Sequence, residues 1–327
     1  MKMTKRAFGT TTLALLATGP WTAASVLAKS NYPNRPVKIV VPYPPGGASD
    51  MIARMVAEKL QKAWGQPVIV DNKAGASGII GAHAVARAAA DGYTLLSHNS
   101  VLIQQPAVME KLPFDPFKDF TPAVLTIKTN NLFAVPIDSP AKTLKEFVEM
   151  VKANPGRHNY GSYGIASAAH LHGELFKQQT GIELTHVPFQ GSAPMITNLM
   201  GGQLSSAFVD IPSTIPQIKS IRPLAIAGTL RVPEIPDVPT FTELGYKSFE
   251  PMGWHGFFLP AGAPADIAHT IAKEVEKVLQ LPDVSAKLKA IGVMPGGGTP
   301  EEFAQQIKAD APVYAAVAKA ANIRILN

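Results

Sequence analysis

Between Val37 and Asn99 the chain alternates three short strand-like runs with two helical segments, and that order leaves few folds open. "VKIVVPY", "QPVIVDN" and "YTLLSHNS" are short and rich in β-branched or large apolar residues, as strands are. Between the first two, "DMIARMVAEKLQKAWG" places Ile52, Met55, Val56 and Leu60 on one helical face and stops at Gly65. Between the second and third, "GASGIIGAHAVARAAADG" predicts an alanine-rich helix ending at Asp91-Gly92. A β–α–β–α–β order predicts a parallel sheet with helices on its faces.

The pattern recurs over roughly residues 130–250, where "NNLFAVP", "IELTHVPF", "LSSAFVD" and "IRPLAIAG" alternate with helical segments. A proline-rich passage, "KLPFDPFKDFTPAVL", separates the two units. After "MGWHGFFLP", a further strand, the rest reads as three helices without a sheet of their own. The economical arrangement returns this C-terminal segment to the first unit. The expectation is therefore an α/β protein of two lobes, residues 29–128 with 251–327 forming one and 129–250 the other. Ligands of such sheets sit beyond the carboxyl ends of the strands, which here means the cleft between the lobes.

The first 28 residues stand apart. Lys2, Lys5 and Arg6 precede a weakly apolar run, and Val26-Leu27-Ala28 has the small-x-small form of a signal peptidase site. An export signal of this kind predicts a periplasmic mature chain. "TKRAF" approaches the twin-arginine pattern with Lys5 in place of the first arginine, so the Sec and Tat routes both stay open. Losing the three basic residues takes the formal net charge from +6 to +3, which argues against a nucleic-acid partner. There are no cysteines, which excludes disulfides, a lipoprotein anchor and thiolate chemistry. No later apolar run reaches the length of a membrane span.

One loop asks for a functional explanation. "VPYPPGGASD" puts two prolines and two glycines between the first strand and its helix. Glycine admits another group close to the main chain, and the free N–H groups of a helix start carry partial positive charge. Gly46 and Gly47 thus clear space for an anionic group, and Ser49 or Asp50 is the expected N-cap. Asp50 is also placed to pair with Arg54 one turn on.

"YPNRPVKIVVPYPPGGASDMIAR", "GQPVIVDNKAGASGIIGAHAVARAAADGYTLL", "HVPFQGSAPMITNLMGGQL" and "DVPTFTELGY…WHGFFLPAGAP" resemble, in order and spacing, the Bug family of extracytoplasmic receptors of tripartite tricarboxylate transporters. The resemblance runs from about Tyr32 to the C-terminus. It implies a periplasmic-binding-protein type II fold with a hinge, and closure on a small organic carboxylate without cofactor or metal. It also implies a monomer that hands its ligand to one large and one small integral membrane subunit. A ligand-binding co-receptor for a sensor kinase is the alternative within the same fold. The resemblance further implies binding through main-chain groups and hydroxyls at matching positions. These are Tyr43, Gly46, Gly47, Ser49 and Asp50 in the first loop, and His98, Asn99 and Ser100 after the third strand. The second lobe would supply Ser162, Tyr163 and Ser167, the turn Phe189-Gln190-Gly191, and Asp210. One departure is Ala166, which stands where the second loop of the family often has a glycine.

The remaining candidates carry less. His170 and Glu174 share a helix face with His172 nearby, but no third metal ligand stands at a useful spacing. Trp64 and Trp254 read as packing residues, and Arg222 and Arg231 as surface residues. Tyr43, Tyr163 and Phe189 are candidates for contact with an apolar ligand body. An exported hydrolase would need a base beside its nucleophile; the chain lacks G-x-S-x-G, H-E-x-x-H and a P-loop, and no motif puts a histidine beside Ser162.

Overall fold

The first strand, β1 (Val37–Val41), is buried at every position but Lys38, as befits a strand covered on both faces. It is the start of a six-stranded sheet seen in a computed structural model that describes residues 32–249 and 253–323. The expected export signal lies outside the described residues. Helix α1 (Ala48–Trp64) buries Ile52, Val56 and Leu60 and closes at Gly65, whose positive φ of 64° supplies the left-handed cap. Strand β2 (Val68–Asn72) pairs in parallel with β1. Helix α2 (Ile79–Ala86) is shorter than its alanine content predicts. Gly75, Ala76, Ser77 and Gly78 all take positive φ, so no helix propagates through them. Strand β3 (Thr94–Asn99) pairs in parallel with the other side of β1 and runs into α3 (Val101–Gln104).

The proline-rich passage conceals the ten-residue strand β4 (Phe120–Thr129). One residue later β5 (Asn131–Pro136) begins a second, five-stranded sheet, so the chain crosses between sheets at Asn130. There follow α4 (Leu144–Ala153), β6 (Asn159–Ser162), α5 (Ala168–Thr180), β7 (Thr185–Pro188) and α6 (Ser192–Met200). Next come β8 (Ser206–Asp210), α7 (Ile211–Thr214) and β9 (Ile221–Ala227). The order is β7-β6-β8-β5-β9, with β6 parallel to β7 and β8, and β5 antiparallel to β8 and β9.

Strand β10 (Gly253–Pro260) inserts antiparallel between β3 and β4 of the first sheet. Helices α8 (Ala265–Gln280) and α9 (Pro282–Ala290) follow, then the edge strand β11 (Met294–Gly297) on β4, then α10 (Pro300–Ala320). The first sheet thus reads β11-β4-β10-β3-β1-β2.

Each sheet has its own aromatic core. In the second, Phe133 lies within 5.1 Å, centroid to centroid, of Phe147, Phe176 and Phe208. In the first, Trp254, Phe258 and Phe303 meet at 5.1–6.1 Å. Each such buried ring contributes roughly 1.5–3 kcal/mol by leaving water. Helix α10 belongs to both cores: Phe303, Ile307 and Tyr314 pack into the first, and Val317, Ala318 and Ala321, just past its end, into the second. Among the described residues no helix is long and apolar enough to cross a membrane.

Candidate functional site

The loop Tyr43–Gly47 delivers α1 with its N-terminus open. The N-cap is Gly47, at φ −83° and ψ 172°, with no side-chain cap. This corrects the expectation of Ser49 or Asp50 there. Asp50 is instead the third helical residue, and its carboxylate reaches back to accept the Gly46 N–H at 3.0 Å. It also accepts from Arg54 at 3.0 Å and from the Asn72 amide at 2.9 Å. Burial pushes the Asp50 carboxyl up, but Arg54, Gly46 and Asn72 outweigh it and hold the group below its usual range. A glycine N-cap brings no side chain over the helix end, so the first N–H groups of α1 keep no intrahelical acceptor.

Helix α6 begins opposite. Its N-cap, Gly191, has φ +133°, and a Cβ built there would stand 3.2 Å from Pro44 Cδ. A Cβ built on Gly47 would lie 3.9 Å from the Ser192 N and 4.0 Å from the Ala193 N. Gly191 thus keeps the gap open, and two helix N-termini, one beside each sheet, approach across a small cavity of about 30 Å³.

The expected residues Tyr43, Gly47, Ser49, Asn99, Ser100, Tyr163, Gly191 and Asp210 line this cavity. Two buried tyrosines orient two amides: the Tyr43 hydroxyl donates to Asn99 Oδ1 at 3.1 Å, and Tyr163 donates to Asn131 Oδ1 at 3.1 Å. Each amide thereby turns its N–H₂ group away from its tyrosine. Burial, with a smaller contribution from Tyr163, pushes the Tyr43 pKa far up, so it stays a neutral donor. Ser49 Oγ and His255 Nδ1 share a hydrogen bond of 3.1 Å. Burial, with His98 nearby, lowers the His255 pKa to about 3, so this histidine is neutral. Gln104 donates to Ser100 Oγ at 2.9 Å. Asp210 is 5% exposed and accepts the Ser213 N–H at 2.9 Å and the Ser192 hydroxyl.

The other expected residues lie elsewhere. Gly46 and Asp50 do not line the cavity; they are joined to each other, and Gly46 faces Ala193 of α6. His98 is fully buried, edge-on to Tyr43 at 5.5 Å, and accepts the Asn99 N–H. Ser167 caps α5 through the His170 N–H and donates to the Gly164 carbonyl at 2.6 Å. Phe189 and Gln190 line a second, more apolar pocket of about 180 Å³ with Ser77, Ile79, Met109 and Ile165. Gln190 Oε1 lies 3.4 Å from the Ser77 N–H, another contact between the two sheet units.

Ser162 has a partner that no motif announced. Its Oγ lies 2.7 Å from His186 Nε2, and that imidazole stacks on His170 at 4.0 Å and on Tyr160 at 4.9 Å. Strand pairing of β6 with β7 makes this contact, 24 residues apart in sequence. Ser162 is fully buried and lines neither pocket, so the pair is an internal polar tie.

Sequence reasoning missed Thr129 and Asn131, which flank the crossing between sheets, and Ser192, Trp254 and His255. Trp254 packs as expected, with its indole N–H on Asp310 at 2.9 Å, yet it also lines the cavity. Only Ser192 had a signal of the kind used for the first loop, a glycine opening a helix. Arg222, expected at the surface, is half-buried and ties three carbonyls there, those of Ile137, Ser139 and Ala141.

A sequence profile of the family described as "Tripartite tricarboxylate transporter family receptor" matches residues 52–323. BugT of Bordetella pertussis is 34% identical over 283 residues, covering 85% of this chain and 87% of the relative. Two solved structures are similar throughout. An R. palustris protein with adipate has TM-score 0.86 at 34% identity, over 90% of this chain and 99% of that one. MatC from Rhodopseudomonas palustris with bound malate has TM-score 0.83 at 30% identity, over 88% and 99%. The chain belongs to the receptor family of the tripartite tricarboxylate transporters, and its fold is that of the two-lobed periplasmic binding proteins.

Proposed function

We propose that this chain is a periplasmic receptor that captures a small organic carboxylate in the cavity between its two sheets. The observation that carries the reading is the convergence of the α1 and α6 N-termini, across Gly47 and Gly191, on one cavity. Backbone N–H groups at two helix starts, with the Asn99 and Asn131 amides and the Ser49 hydroxyl, form a cradle for an anion. A hydrogen bond to a charged group adds about 1.5–3 kcal/mol net, and micromolar binding needs about 8 kcal/mol. Four or five such donors, less ordering costs, reach that figure without an arginine. The relatives solved with adipate and malate support a carboxylate ligand.

The lobes would be residues 29–128 with 251–327, and 129–250, hinged where the chain crosses at Asn130 and again after β9. The hydrogen bond of Gln190 with Ser77 parts when the ligand enters, as Gly191 and Pro44 move apart, and re-forms around it. The monomeric closed form then presents the ligand to the large and small membrane subunits of the transporter. Calorimetric titration of the refolded mature chain with malate, adipate and other carboxylates tests this. At least one should bind at micromolar level, and Ser49→Ala should weaken it about tenfold or more, one lost charge-assisted hydrogen bond. Binding of sugars or cations with no response to any carboxylate would refute the reading.

A further inference from the structure

Asp210 gives an anion cradle a negative wall. Among the described residues lining the cavity it is the one charged side chain, and no lysine or arginine offsets it. Two of the roughly four acceptor positions of an ionised carboxylate are taken, by the Ser213 N–H and the Ser192 hydroxyl. The remaining acceptor capacity belongs to a group that lines the cavity. A ligand carboxylate set against it would meet like charge in a poorly hydrated space, where repulsion is strong.

Position tells how far the ligand's groups stand from one another. Ser192 is the first residue of α6, so its N–H belongs to the cradle, while its side chain is hydrogen-bonded to Asp210. Cradle and Asp210 are thus within reach of a single residue. A ligand whose carboxylate sits at the α1 and α6 N-termini meets Asp210 with the substituent next to that carboxylate. We propose that Asp210 makes the cavity selective for acids bearing a hydrogen-bond donor beside their carboxylate, namely 2-amino and 2-hydroxy acids, over the unsubstituted acids of the same length. This rests on the carboxylate-receptor reading. An ammonium or hydroxyl donates to Asp210 while the adjacent carboxylate accepts from the helix ends. An unsubstituted acid leaves Asp210 desolvated and without a ligand donor, which costs affinity.

Matched pairs test it: malate and aspartate against succinate, glutamate against glutarate, and mandelate against phenylacetate, each titrated calorimetrically into the refolded mature chain. In every pair that binds, the donor-bearing acid should be tighter by about tenfold or more, about 1.4 kcal/mol. Asp210→Asn retains a side-chain oxygen for the Ser213 N–H and removes the charge. It should cut the preference to within about threefold and raise affinity for the unsubstituted acid. If that variant fails to fold, the wild-type ratios alone decide. Equal or tighter binding of the unsubstituted acids would overturn the selectivity and leave the receptor reading intact. Failure of every carboxylate, with binding of another ligand class, would overturn both.

Discussion

Ala166 is the residue where family pattern and backbone collide. It has φ +63°, a left-handed conformation that costs a side-chain-bearing residue roughly 1–2 kcal/mol, and it is fully buried. Its N–H donates to His170 Nδ1 at 3.2 Å, which holds the strained turn at the start of α5. Glycine would relieve the strain at the expense of about 0.4–1 kcal/mol of unfolded-chain entropy. Ala166→Gly should therefore raise stability by up to about 1 kcal/mol in urea unfolding, and a clear loss of stability would contradict the strain. The departure was legible in sequence as a missing glycine. Its sign was not, because φ is set by the surrounding loop. The N-cap of α1 shows the same limit: serine and aspartate are favoured caps, but helix start depends on where the chain leaves β1, and two residues decide between Gly47 and Ser49.

At the scale of elements, α10 is a strap between the two cores. Phe303 fills the space above Gly256 of β10, where a Cβ would meet its ring at 2.4 Å, and touches Trp254 and Phe258. Phe303→Ala should cost about 3–5 kcal/mol, measured by chemical denaturation, and a loss under about 1 kcal/mol would show that α10 is not held by this ring. Elements with clear periodicity, such as β1, α1, β5 and α8, were readable from sequence. Strands β4 and β11 were not. Pro122 in β4 pairs opposite Phe258 near a register shift, and β11 is "MPGG" on a sheet edge. Prolines and glycines there signal loops locally, and partner strands far along the chain override them.

The whole molecule carries a pH dependence through its buried imidazoles. Burial lowers the pKa of His98, His170 and His172 to about 4, and of His186 and His255 to about 3. Glu174 works against this at His170, while Lys177 adds to it at both His170 and His186. In the unfolded chain these groups titrate near 6.5, so below that pH the unfolded state binds more protons. Stability is full above about pH 6.5 and falls as pH drops toward 4, by up to about 1.4 kcal/mol per pH unit for each histidine. The melting temperature should decline steeply between pH 6.5 and 4.5. A flat profile would mean that these imidazoles are solvated in the folded state.

The sequence by itself determined the α/β class, the family and the glycine-rich loop that opens α1, because hydrophobic period, glycine placement and helix ends are local properties of the chain. Tertiary structure alone decided which residues share the cavity. Asn131, Ser192 and His255 meet Ser49 and Asn99 only through strand order and the crossing at Asn130. It also turned Ser162 inward to His186 and set the Asn72 amide of β2 against Asp50. A hydroxyl or carboxylate takes the nearest partner in space, and spatial neighbours across a sheet are set by pairing between distant segments, which no local pattern encodes.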